Sequence, residues 1–198
     1  MSVALRKPIT ADEFLAWEKR QDSPWEFDGF APVAMTGGTW RHAAIQMNLS
    51  GCLYNRLRGK PCRPSGDAMQ ISVAGSIRYP DAFVVGSPVG PTDRTVTEPV
   101  VVFEILSPST ALTDRTAKNR EYSATPSIQR YVMLEQDAPT ATVFARVGDQ
   151  WVESFVSGNA ILAMPEIGIE IPLADLYEGV SFTSSEVNLE DEAAAEAR

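Results

Sequence analysis

The stretch "VVVFEILSPST", Val100 to Thr110, governs how the rest of the chain is read. Five of its first seven residues are Val, Phe or Ile, the composition of a strand buried on both faces. Glu104 stands in the middle of that run. A carboxylate in a dry core is costly unless it is paired or binds a cation. Its partners must therefore come from elsewhere in the chain.

On either side the pattern alternates between helix and strand. Thr10 and Glu13 fit a capping box opening a short helix through about Arg20. PWEFDGFAPVAM follows as a hairpin turning at Asp28-Gly29. Thr36 to Thr39 is a loop, and RHAAIQMNLSGCLYNRLR carries Ile45, Leu49, Cys52, Leu53 and Leu57 at helical spacing. DAMQISV, YPDAFVVG and PVVVFEIL read as strands, with SPVGPTDRTVTE a loop before the last. Thr113 to Ala124 reads as a helix. IQRYVMLE, ATVFARV and QWVESFV are strands, the last two joined at Gly148-Asp149, and IGIEIPLADLY is a strand plus one helical turn. The order predicts an α/β domain on a mixed sheet flanked by helices.

Composition narrows the class. The 198 residues fit one domain, residues 1–183, with an acidic tail at 184–198 that holds Glu186, Glu190, Asp191, Glu192 and Glu196. No apolar run approaches membrane-span length and no secretory signal is visible, so the expectation is a cytoplasmic protein with no membrane partner. Cys52 and Cys62 lack zinc spacing, and His42 is the single histidine. The net charge of −9 counts against general nucleic-acid affinity. Arg41, Arg56, Arg58, Lys60 and Arg63 form a candidate basic patch. No nucleotide-binding glycine loop and no GxSxG elbow is present.

Two positions answer Glu104: Asp81 and Lys118. Pro80-Asp81 opens the preceding strand, and neighbouring strands lie about 4.8 Å apart, so the two carboxylates can grip one cation. Lys118 falls on the following helix, sharing a face with Asp114 and Tyr122 at i, i+4, i+8. Two carboxylates and a lysine suit a hard divalent ion, Mg2+ or Mn2+, and an attacking water. The simpler alternatives are a structural Glu104–Lys118 salt bridge, Asp81 as a turn residue, Asp114 as the helix's cap or first-turn acid, and Tyr122 as packing.

YPDAFVV, VVVFEILSPST and DRTAKNREY together resemble the Uma2 family of endonucleases, within the PD-(D/E)XK restriction-endonuclease-like superfamily. WEFDGFAPVAM and RHAAIQMNL extend the resemblance upstream, over roughly Ala11 to Leu134 and on toward Tyr177. It implies a restriction-endonuclease-like mixed sheet flanked by helices, and Mg2+-dependent hydrolysis of DNA phosphodiesters, often by a homodimer. Residue by residue, it implies Asp81, Glu104 and the Ile105 carbonyl as metal ligands. Leu106 occupies the position of the superfamily lysine, with Lys118 as its migrated replacement, and Glu26 and His42 would approach the same cleft. The alternative is a catalytically inactive module that keeps the fold for interaction or assembly.

Overall fold

The computed structural model describes residues 8–35 and 37–182, so the acidic tail at 184–198 lies outside the described residues. Helix α1 (Ala11–Glu18) begins at Thr10, whose hydroxyl accepts from the Glu13 amide while the Glu13 carboxylate accepts from the Thr10 amide, closing the expected capping box. Strands β1 (Trp25–Phe27) and β2 (Pro32–Ala34) form the hairpin, with Asp28 Oδ1 accepting two amides of the turn. Helix α2 (Trp40–Leu57) buries Ile45, Leu49, Leu53 and Leu57, the i, i+4 stripe of the sequence.

Strands β3 (Arg63–Gly66), β4 (Gln70–Val73), β5 (Ser76–Arg78), β6 (Ala82–Val85) and β7 (Thr95–Val96) precede β8 (Pro99–Ile105). Next comes one helical segment, 111–123, α-helical at Ala111–Thr113 (α3), π-helical over Asp114–Lys118 and α-helical again at Asn119–Ser123 (α4). Strands β9 (Arg130–Leu134), β10 (Thr140–Val147), β11 (Gln150–Ser157), β12 (Ile161–Met164) and β13 (Ile169–Pro172), and a 3-10 helix at Leu173–Tyr177, complete the chain.

A six-stranded sheet, ordered β11-β10-β9-β8-β6-β3, is the backbone of the domain. Its one parallel pair, β8 with β9, is bridged by the helical segment 111–123. Val101, Phe103 and Ile105 of β8 pack with the α2 stripe and the β12–β13 pair. Val102 and Leu106 face the other way, into a core with Tyr122, Tyr131 and Met133. Glu104 shares that second face by strand alternation. The strand is thus buried on both sides, as its composition predicts.

Strands β3, β5, β7 and β12 lie where the sequence shows no strand signal, and β5, β4 and β7 belong with the hairpin to a separate five-stranded sheet, β2-β1-β5-β4-β7. The β4–β5 connection is a tight two-residue turn with φ of 45° at Ala74 and 87° at Gly75. Alanine at a left-handed position disguises that turn. Among the described residues no helix is long and apolar enough to cross a membrane.

Candidate functional site

The β6–β8 pairing sets Ala82 against Phe103 and Phe83 against Val102, so one step further along the register Asp81 faces Glu104. Directly opposed side chains on neighbouring strands stand about 5 Å apart at Cβ. Both residues border a cleft of about 620 Å³ whose wall also includes Glu26, His42, Asp114 and Lys118. Glu26, His42, Asp81, Glu104, Ile105 and Lys118, singled out from the sequence, are therefore brought to one place.

Asp81 is fixed through both oxygens. Its Oδ2 accepts from the Ile105 amide at 2.6 Å, and its Oδ1 lies 3.2 Å from His42 Nε2. The His42 backbone amide is held by the Thr39 hydroxyl at the start of α2. A Cβ on Gly38 would come within 3.1 Å of the imidazole, so glycine leaves the ring its room. Bonding to Asp81 raises the His42 pKa against the opposing effect of burial.

Glu104 is buried and spends Oε1 on two donors, Lys118 Nζ and the Tyr122 hydroxyl, each at 2.9 Å. Burial holds its carboxyl well above the usual range; Lys118 pulls against that shift, while Asp114, Asp81 and Glu26 add to it. The Lys118 ammonium also lies 3.0 Å from Asp114 and 3.4 Å from Glu26. Burial disfavours that charge, but three carboxylates outweigh it, and the lysine stays protonated. Lys118 thus meets Glu104 from the helix, while Leu106, at the superfamily lysine's position, sits in the apolar core.

One expectation narrows and another needs correction. Asp114 is not the N-cap but a first-turn acid: it opens the π-helical turn, buried, with Lys118 beside it. The wider turn brings both side chains inward, and such turns recur at functional sites. The proposed basic patch does not line the cleft. Arg58 follows the last residue of α2, and Leu57 at that end lies fifteen residues from His42, about 22 Å at 1.5 Å per residue. Arg41 pairs with Asp137 and Arg56 with Asp175.

Sequence reasoning missed the support behind the cleft. Arg78 is buried and donates to Glu121 through Nε and NH2 at 2.7 Å each, and through NH1 to Glu26 at 3.1 Å. Ser76 adds a hydroxyl donor to Glu121 at 2.9 Å, and the Tyr79 amide donates to Glu26 at 3.1 Å. Glu26 is therefore strung between Arg78 and Lys118. Four carboxylates, Glu26, Glu104, Asp114 and Glu121, pair with two permanent cations, Arg78 and Lys118, while Asp81 pairs with His42. The available signal was Glu121 at i+3 from Lys118, on the inward side of its helix.

A mixed sheet with an aspartate and a glutamate opposed at adjacent strands, a lysine returning on the next helix and a cleft above them defines a restriction-endonuclease-like protein. The Uma2 family, described as "Putative restriction endonuclease", matches residues 11–174, and the chain belongs to it. Two uncharacterized proteins of Synechocystis sp. are similar. One, slr1290, is 29% identical over 181 residues, covering 88% of this chain and 94% of its own. The other, sll1609, is 29% identical over 165 residues, covering 80% and 93%. A solved structure from Anabaena variabilis, described as a "putative nuclease belonging to DUF820", aligns with a TM-score of 0.73 at 19% identity, over 88% of this chain and all of that one. That likeness is one of fold.

Proposed function

We propose that this protein is a metal-dependent endonuclease hydrolysing phosphodiester bonds in DNA, with Asp81, Glu104 and the Ile105 carbonyl holding Mg2+ or Mn2+. The observation that carries it is the Asp81–Glu104 opposition in a cleft whose carboxylates outnumber its permanent cations. Oxygen donors of this kind suit a hard divalent cation. Among the described residues no three His, Cys, Asp or Glu side chains gather as a ready metal cage. Two carboxylates and a carbonyl would therefore hold the ion, with water completing the set.

When bound, such an ion supplies positive charge against the phosphate and a water acidic enough to attack at neutral pH. The chain's own residues prepare that chemistry. His42 and the Ile105 amide stop the Asp81 carboxylate from rotating. Tyr122 orients Glu104, and the Lys118 ammonium beside it can donate to the attacking water or to a phosphate oxygen. Glu26 and Asp114 keep that ammonium charged.

Nicking of supercoiled plasmid with Mg2+ or Mn2+ tests the reading. Wild type should cut, and Asp81→Ala and Glu104→Ala should each lose at least about 100-fold, with metal affinity falling in calorimetry. Wild type that neither binds metal nor cuts DNA would sink the proposal, and equal cutting by the double variant would assign the activity to a contaminant. The non-catalytic module remains the second reading, favoured by Leu106 in place of the motif lysine. Its sign would be partner capture with no cleavage and no metal binding.

A further inference from the structure

We infer that α2 is the seam of a two-fold-symmetric homodimer, packing antiparallel against α2 of a second copy about Met47. The inference does not rest on the nuclease reading. Helix α2 is apolar on two faces, and among the described residues only one of them is covered, the stripe of Ile45, Leu49, Leu53 and Leu57. At 100° per residue, Trp40, Ala43, Met47, Gly51 and Tyr54 fall within about 80° of one another on the opposite side. Trp40 is 87% exposed, Met47 73% and Tyr54 63%, and Ala43 and Gly51 are exposed beside them. Their neighbours on that side are Ala44, Asn48, Ser50 and Asn55, so the outward face runs from Trp40 to Asn55 without a charge. A helix face meant for water normally carries charges.

The spacing along this stripe is three, four, four, three residues, a palindrome about Met47. Laid antiparallel on itself, the stripe sets Trp40 against Tyr54 of the second copy, Ala43 against Gly51, and Met47 against Met47. Large meets large and small meets small, the self-complementarity that an isologous interface demands. Nothing lies within 4 Å of where a Cβ on Gly51 would stand, so two backbones can approach there. Spacings of three and four are those of a helix–helix seam.

Charge and area favour a second copy over other occupants. No like charges oppose across the seam, even in a chain of net charge −9. A nucleic-acid track would need cations along it. Arg41 and Arg56 instead lie off the stripe and are paired to Asp137 and Asp175. The exposed parts of two aromatic side chains and a methionine offer about 500 Å² per copy. Val33 and Met35, exposed on the hairpin that shares the cleft wall with Ala43, extend it toward the roughly 800 Å² per partner of a stable interface. Because Ala43 lines the cleft, the second copy would stand at its rim.

Sedimentation equilibrium of the full chain tests the inference without any substrate, over about 1–100 μM to bracket micromolar affinity. The expected mass is twice 21.6 kDa. Residue 47 faces its own copy, so M47E and M47K should each weaken the dimer at least about 100-fold. An equimolar mixture of the two should restore it. Circular dichroism should stay unchanged, since Met47 is exposed. A wild type that remains monomeric, a variant M47E that still dimerises, or a mixture that fails to reassociate would each overturn the inference. A monomeric wild type whose single-stranded oligonucleotide binding weakens in W40A would overturn it too, assigning the face to nucleic acid.

Discussion

Arg78 and Glu121 meet through two hydrogen bonds of 2.7 Å, joining the end of β5 to the helix that carries Lys118. The chain passes from Arg78 to Asp81 in three residues, and from Lys118 to Glu121 in three. This one ion pair therefore ties the aspartate side of the cleft to the lysine side. Its burial leaves little water to replace a missing partner, and the first expectation follows. Arg78→Met should cost about 3–5 kcal/mol in urea unfolding, because it leaves the buried Glu121 without its cation and only the Ser76 hydroxyl as donor. The double variant Arg78→Met/Glu121→Leu should recover part of that loss. A double variant as unstable as the sum of its parts would argue that the pair is not a unit.

Tyr122→Phe removes one of the two donors on Glu104 Oε1 and leaves the ring in place. The ring still packs edge-on against Tyr131 at 4.8 Å between centroids, so the loss should stay near 1 kcal/mol. Cleavage, if the nuclease reading holds, should fall more steeply than stability does. Unchanged cleavage would reduce Tyr122 to packing.

Leu106→Lys restores the superfamily motif on paper. The side chain it replaces is buried in the apolar core with Ile71, Val102 and Met133, so the variant should lose about 2–4 kcal/mol in thermal or urea unfolding. It should not rescue Lys118→Met in plasmid nicking. Rescue would show that an ammonium can work from the strand as well as from the helix.

Four of the five tyrosines, Tyr79, Tyr122, Tyr131 and Tyr177, have phenols pushed above their usual pKa, each chiefly by burial. All four donate their hydroxyl, to Glu18, Glu104, the Asp114 carbonyl and the Glu135 carbonyl respectively. A raised folded pKa favours the neutral phenol in the native state. Its contribution is complete below the unfolded value of about 10 and disappears as pH rises through the folded one. Absorbance at alkaline pH should therefore show these four ionising late and together with unfolding. Their early, reversible ionisation in folded protein would contradict the burial.

Ala74 holds a φ of 45° in the β4–β5 turn. Ala74→Gly should raise stability by about 0.5–1 kcal/mol, since glycine reaches this conformation without the Cβ clash. A fall in melting temperature would place the balance in unfolded-state entropy instead.

The long periodic elements were legible because burial on one face or on both leaves its own pattern in the sequence. The α2 stripe, the doubly buried β8 and the capping box at Thr10 all declare themselves in single windows of sequence. Strands β3, β5 and β7 do not, having two to four residues each and taking their pairing from distant chain. At the site, the pairing of Asp81 with Glu104 could be read from adjacent strands, whereas the role of Lys118 rests mainly on the family resemblance. Arg78 and Glu121 could not be read in either way. Each is an ordinary charged residue in its own neighbourhood, and only the fold reveals that they are buried against each other.

The π-helical turn at Asp114–Lys118 makes the segment intolerant of changes in length. Asp114, at its start, and Glu121 and Tyr122, behind it, must all point inward, and the wide turn sets the phase between them. Deleting one residue there would yield a more regular helix by every local measure. It would also rotate the downstream half by about 100°. Tyr122 would swing off Glu104 and Glu121 off Arg78, so for this helix ideality and fitness for its place are opposed.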